Sequence, residues 1–178
     1  LRKVERSEDI DNPAMEWGRR LETPVAQAWM DRTGHSLQQA STLFHPSHPF
    51  IGGTPDFLCT DDANLLIECK TASEEQLRRV DEEGLPIWGP AGTDEVPVDY
   101  LVQTNHYMGL TGRRRGDLAV LFLGPRREFR IYELHFDRDL YDLVVERGVE
   151  FWINHVHAKV PPAQDLIPTE LVRGYLAR

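Results

Sequence analysis

The sequence predicts an α/β fold in which a mixed central β-sheet is flanked by α-helices. Three observations carry that reading: a long, well-bounded helical pattern near the start, two pairs of short strand-like runs, and helical stretches that separate the pairs and follow the second. At 178 residues and 40% hydrophobic, the chain can bury one sizeable core but not two comfortable ones. One domain is therefore expected over 1–178, with a core at about 12–156 and a C-terminal extension at 157–178.

The first element is a helix from about Asn12 to Thr33, with Asn12 as N-cap, Pro13 at the first helical position and Gly34 just past the end. Its apolar stripe runs Met15, Gly18, Val25 and Trp29, and Glu22 falls inside it. A carboxylate on a buried face requires a partner; a backbone N–H, Arg19 or a metal site would each serve. Residues 37–50 read as a strand or an irregular approach carrying His45-Pro46 and His48-Pro49. Ile51 to Cys59 reads as a strand broken by Gly52, Gly53 and Pro55, and Asp61-Asp62-Ala63-Asn64 is a run of turn formers.

Leu65 to Thr71 is the next strand. Alternation sets Leu66, Glu68 and Lys70 on one face and the apolar Leu65, Ile67 and Cys69 on the other, which is read as the core face. Ser73 is expected to cap a short helix from about Glu74 to Asp81. Residues 84–98, rich in Pro and Gly, form a long loop of the kind that often carries function or mobility. A helix follows from about Val98 to Leu110, stopped by Gly112, with Gln103, Tyr107 and Leu110 along one side. Leu118 to Leu123 and Phe129 to Leu134 make a hairpin through Gly124-Pro125-Arg126-Arg127-Glu128. Asp137 caps a helix reaching about Val156, with Leu140, Val144, Phe151 and Trp152 as its stripe and Pro161-Pro162 as its stop. A short last helix is expected from about Thr169.

Composition excludes several classes. No apolar run approaches the roughly 20 residues that span a bilayer, and no leader stands at the start, so a soluble, intracellular protein is expected. Two cysteines cannot build a disulfide framework, a four-thiolate zinc site or an iron–sulfur cluster; Cys59 and Cys69 are expected as small buried residues. Neither a glycine-rich phosphate loop nor a nucleophile elbow is present. The net charge of −9 argues against a simple basic nucleic-acid binder. Basic residues nevertheless cluster at Arg78-Arg79, Arg113-Arg114-Arg115 and Arg126-Arg127, as a basic lining inside an acidic exterior would require; the triplet by itself reads rather as a solvated loop after a helix.

The residues that point to chemistry are Thr54-Pro55-Asp56 and Glu68-Cys69-Lys70. If the strands before and after the Asp61 to Asn64 turn pair as a hairpin, Asp56 comes to lie near Glu68. Two carboxylates held close cost stability unless a cation or a basic group sits between them. Lys70 supplies part of that charge and Mg²⁺ would supply the rest, since a few hard oxygen ligands with water and phosphate completing the shell suit that ion. A metal-acidified water is then a nucleophile for a phosphodiester. The bland alternative has Glu68 and Lys70 on a solvated strand face and Asp56 capping a turn; either dipeptide pattern alone is common.

Taken together, the residues resemble the PD-(D/E)xK nuclease superfamily, and within it the YqaJ-like viral recombinase group related to phage lambda exonuclease. Four stretches carry the likeness: Trp17-Gly18-Arg19-Arg20-Leu21-Glu22, His48 to Asp56, Leu66-Ile67-Glu68-Cys69-Lys70-Thr71, and Val98 to Met108 with Gln103. The likeness covers about Met15 to Val156. It implies a restriction-endonuclease-like core in which Asp56 and Glu68 hold Mg²⁺ or Mn²⁺ with the backbone carbonyl of Cys69, assisted by Glu22. Lys70 would orient or deprotonate the attacking water, and Gln103 would hold Lys70 or the scissile phosphate. His48 and Arg113, Arg114 and Arg115 are candidate DNA contacts.

The resemblance further implies a cytoplasmic exonuclease of a phage or its bacterial host. It would resect double-stranded DNA ends 5′ to 3′ for a single-strand annealing protein, and would work as a homo-oligomer, with a ring-shaped trimer as one form. The group's earlier Arg and Gly-Ser-Asp segment, which contributes to holding the 5′ phosphate, has no counterpart in the polar Leu1 to Asp11. The first residue is Leu rather than Met, which leaves room for an upstream segment. Two other readings stand beside the exonuclease: a sequence- or structure-specific endonuclease using the same metal site, and a non-catalytic protein-binding module whose site is vestigial.

Overall fold

The computed structural model describes residues 13–162. Helix α1 spans Pro13–Thr33, α2 Val98–Thr111 and α3 Arg138–Phe151, the last continuing into a π-helical turn at Trp152–His157. The strands are β1 Leu37–Gln39, β2 Leu43–His45, β3 His48–Gly53, β4 Phe57–Cys59, β5 Leu65–Ser73, β6 Arg115–Leu123 and β7 Glu128–His135. Five of them form the central sheet in the order β1-β4-β5-β6-β7, while β2 and β3 pair separately. The β5–β6 ladder is parallel and the other three are antiparallel, which makes the sheet mixed, as expected.

The parallel pair explains a departure from the sequence reading. A central strand with parallel and antiparallel neighbours is covered on both faces, so Leu65, Leu66, Ile67, Glu68 and Cys69 are all buried. On one side Leu65, Ile67 and Cys69 pack with Val25, Ala26 and Trp29 of α1. On the other, Leu66 joins Met108 of α2, Leu118, Val120 and Phe122. The face carrying Glu68 is thus a second core face and not an open one. Gly116 of β6 lets α2 approach: a Cβ there would lie 2.6 Å from Thr104 Cγ2.

Helix stops follow the sequence signals. Gly34 and Gly112 adopt left-handed φ of 77° and 72° after α1 and α2, and the Asp137 side chain accepts from Leu140 N as the α3 N-cap. The Asn12 cap and the helix from Thr169 lie outside the described residues. The first half of the α1 stripe is not core: Met15 is 52% exposed, and burial begins at Val25.

Three local expectations are corrected. The run Ile51 to Cys59 is two strands in two sheets, because Thr54-Pro55-Asp56 turns the chain from β3 into β4. After β5, a 3₁₀ turn at Glu74–Arg78 replaces the expected helix, and the Ser73 side chain makes no cap bond. The long loop is pinned along β7, with Gly92 N donating to Ile131 O and Glu133 N to Thr93 O. It inserts Trp88, 4% exposed, against Tyr100, Phe122 and Tyr132. It closes the second core and covers the edge of β7. Among the described residues, no helix is long and apolar enough to cross a membrane.

Candidate active site

The antiparallel β4–β5 register pairs Phe57 with Ile67 and Leu58 with Leu66. Continuing that ladder by one residue sets Asp56 opposite Glu68, and Asp56 Oδ2 accepts the Cys69 amide at 2.8 Å. Lys70, two residues along the same face as Glu68, donates from Nζ to Glu68 Oε1 at 2.6 Å. The predicted convergence of Asp56, Glu68 and Lys70 is present. The solvated-face alternative is not, since Glu68 is 1% exposed.

Two helices close the site. From α1, half-buried Glu22 reaches close enough to feel both Asp56 and Lys70, so the carboxylate inside the stripe faces the acid cluster. From α2, the Tyr100 ring lies beneath Lys70, with Nζ 5.6 Å from its centroid. Gln103 donates its amide to the Tyr107 hydroxyl at 3.1 Å, so it holds a tyrosine where Lys70 or a phosphate was expected. Tyr100, Gln103 and Tyr107 recur at helical spacing and share one side of α2. That periodicity was the available signal for Tyr100 and Tyr107, which sequence reasoning did not assign to the site. Gly53, just before Thr54-Pro55-Asp56, admits the Tyr107 ring, which would stand 2.4 Å from a Cβ.

Three carboxylates and one ammonium meet here, and their ionisation shows the imbalance. Burial pushes Glu68 up to about 7; the attraction of Lys70 opposes this and the charge of Asp56 adds to it. Burial likewise raises Asp56 against the Cys69 amide bond and Lys70, and raises Glu22, with Asp56 reinforcing. For Lys70 burial works downward, but Glu68 and Asp56 outweigh it and hold the amine above its ordinary value. Desolvation therefore exceeds the like-charge repulsion that the sequence alone suggested. The Cys69 thiol is raised well above its usual range by burial, then by the neighbouring carboxylates, so it stays protonated.

Among the described residues, Glu68 Oε2 is buried without a hydrogen-bond partner. An orphaned carboxylate oxygen beside a second acid suits a hard cation bound through a few oxygens. These residues fit a divalent metal.

The other candidates fall elsewhere. Arg113 Nη1 donates to the carbonyls of Cys59, Asp62 and Leu65, tying the β4–β5 turn. Arg115 pairs with Asp62 at 3.7 Å and approaches Asp117 at 3.8 Å. Arg114 alone of the triplet is exposed, lying over the Phe136 ring at 4.9 Å. Arg115 stands opposite Leu65 in the β5–β6 ladder, about 10 Å along the strand from Glu68 and about 16 Å from Lys70. Two of the three arginines are thus structural, and the triplet sits at the far end of β5. His48 lies on β3, stacked on His45 with centroids 4.9 Å apart.

The model of the YqaJ-like viral recombinase domain matches residues 2–114, which include Glu22, Asp56, Glu68, Lys70 and Gln103. The chain belongs to the YqaJ-like viral recombinase family. Within the family it is 30% identical over 160 residues to the protein YqaJ of Bacillus subtilis strain 168. That alignment covers 88% of this chain and 46% of the relative, so the chain spans about half of the relative's length. Among solved structures, the alkaline exonuclease LHK-Exo of Laribacter hongkongensis in complex with dAMP superposes with a TM-score of 0.65 at 23% identity. The match covers 86% of this chain and 73% of that one. A phage-related exonuclease of Haemophilus somnus 129PT gives 0.57 at 17% identity, over 77% and 68%. The architecture of this YqaJ-like domain is that of the restriction-endonuclease-like fold, as expected from its sequence.

Proposed function

We propose that this chain is a metal-dependent deoxyribonuclease that resects linear double-stranded DNA from its ends, 5′ to 3′, leaving single strand for an annealing protein. The observation that carries the reading is the pairing of Asp56 with Glu68 on adjacent strands, beside a protonated Lys70 and with one Glu68 oxygen unclaimed. Family membership and the exonuclease neighbours support DNA ends as the substrate.

Asp56 and Glu68 would hold Mg²⁺ or Mn²⁺, with Glu22 and the main chain of Cys69 in support. The cation supplies, when bound, an acidified water and charge neutralisation at phosphate. Lys70 is held as an ammonium over Tyr100, so it donates: it orients the attacking oxygen and stabilises the negative charge that grows on the phosphoryl oxygens. Gln103, whose amide donates to the Tyr107 hydroxyl, would turn to Lys70 or the phosphate once substrate enters. The half-buried Tyr100, Gln103 and Tyr107 of α2 limit contact with bulk water, which strengthens each of these interactions.

Digestion of linear duplex labelled at one 5′ or one 3′ end tests this, with covalently closed circular DNA as control. Loss of the 5′ label as the earliest mononucleotide product, dependent on Mg²⁺, with the circle intact, is the expected result. Early release of the 3′ label would reverse the polarity. Nicking of the circle would replace the exonuclease by an endonuclease.

A further inference from the structure

Away from the acid cluster, α1 and β4 both end at one corner of the fold. His35 follows the Gly34 stop of α1, Cys59 is the last residue of β4, and Asp61 stands two residues on. Their ligand atoms lie within 4.8 Å of one another. Asp61 Oδ1 is 2.9 Å from Cys59 Sγ and 3.0 Å from His35 Nδ1.

The three groups are held from outside. Ser36 N donates to both Asp61 carboxylate oxygens at 3.3 Å, and Thr60 N and Oγ1 both donate to Ser36 O, tying the two segments together. The His35 ring stacks on Trp29, with centroids 5.8 Å apart and planes 21° apart. Trp29 is itself fully buried, with its indole N–H bonded to Asp117 at 2.9 Å. His35 and Asp61 keep 35% and 48% of their side chains exposed, which opens the corner to an ion from solvent.

We propose that His35 Nδ1, Cys59 Sγ and Asp61 Oδ1 form a site for a borderline-soft divalent metal of the zinc type, with water as fourth ligand. Tetrahedral zinc bonds of about 2.0–2.3 Å place ligand atoms roughly 3.4 Å apart, so the 2.9 and 3.0 Å spacings to Asp61 would open slightly and the His35–Cys59 spacing, within 4.8 Å, would adjust to match. One imidazole nitrogen, one thiolate and one carboxylate select Zn²⁺ or Co²⁺ over Mg²⁺, which avoids sulfur. On binding, the S–H bond of Cys59 breaks and a metal–sulfur bond forms. The thiol proton leaves to solvent, so uptake releases one proton from Cys59. The bound ion would clip the end of α1 to the end of β4. This site is independent of the nuclease reading, since it shares no residue with Asp56, Glu68 or Lys70.

The test is a Co²⁺ titration of the metal-stripped 178-residue chain. A thiolate-to-cobalt charge-transfer band in the near ultraviolet, saturating at one equivalent and displaced by Zn²⁺, is expected. Cys59→Ser should abolish it, while Cys69→Ser and Glu68→Gln should keep it, since those residues belong to the other site. His35→Gln, at a partly exposed position that does not threaten folding, should weaken Co²⁺ binding at least about 10-fold. No band with excess metal, a band that survives Cys59→Ser, or unchanged affinity in His35→Gln would each reduce the trio to a hydrogen-bonded corner.

Discussion

Glu68→Gln and Lys70→Ala are each expected to leave a folded protein whose cation-dependent digestion of linear duplex falls at least about 10³-fold. Glutamine keeps the shape of Glu68 and its contact with Lys70 but removes the charge that a cation requires. Alanine at position 70 removes the donor that now sits 2.6 Å from Glu68 Oε1. The two losses differ in a second readout. Glu68 is buried and raised to about 7, so its folded form holds a proton that the unfolded chain releases between the ordinary carboxylate range and neutrality. Stability therefore declines as pH rises through that window. Removing the carboxylate lifts this penalty, so Glu68→Gln should melt at the same temperature as the parent or higher at pH 8. A destabilised Glu68→Gln would mean that the carboxylate holds the fold rather than a cation.

The largest expected effect on stability is at Trp29. It is fully buried between α1 and the sheet, and its indole N–H is bonded to Asp117, a carboxylate 5% exposed whose other oxygen makes no hydrogen bond among the described residues and lies 3.8 Å from Arg115. Trp29→Ala removes the packing, at about 3–5 kcal/mol, and leaves Asp117 without its donor, at about 1–3 kcal/mol more. That sum is comparable to the whole stability of a domain, about 5–15 kcal/mol. Urea unfolding should show a chain that is largely unfolded at 25 °C, while Trp29→Phe, which loses chiefly the hydrogen bond, should remain folded. A Trp29→Ala unfolding free energy within about 1 kcal/mol of the parent would contradict this packing.

Much of this was legible because the local signals and the tertiary structure agree. The turn formers Asp61 to Asn64 sit between two runs that do pair, Gly112 does stop α2, and Asp137 does cap α3. Asp56, Glu68 and Lys70 could be placed together because a β-hairpin is a local structure whose register follows from its turn. What failed was non-local. Strands β1 and β2 have only three residues each, too few for periodicity to show, and the switch at Thr54-Pro55-Asp56 between two sheets leaves no pattern different from a bulge.

Charge runs were the second blind spot. Arg113-Arg114-Arg115 looks like a solvated patch in sequence, yet the planar guanidinium of Arg113 serves as a multiple donor to carbonyls exposed by a turn. Which role an arginine takes depends on neighbours more than forty positions away. Trp88 poses the same problem: a lone tryptophan in a Pro- and Gly-rich loop gives no sign that it fills the gap between α2 and the sheet. Tyr107 was visible on a helical face with Gln103, but only the position of Lys70 above Tyr100 and of Gln103 beside Tyr107 makes that side of α2 part of the site.

Glu68, with Asp56, is the proposed cation site. Mn²⁺ binding followed by calorimetry, on the parent chain and on Glu68→Gln at pH 8, tests it most directly. A site in the parent that Mg²⁺ displaces, and that is lost or at least about 100-fold weaker in Glu68→Gln, is the predicted result. Equal Mn²⁺ affinity in the two proteins, or none in the parent, would contradict it.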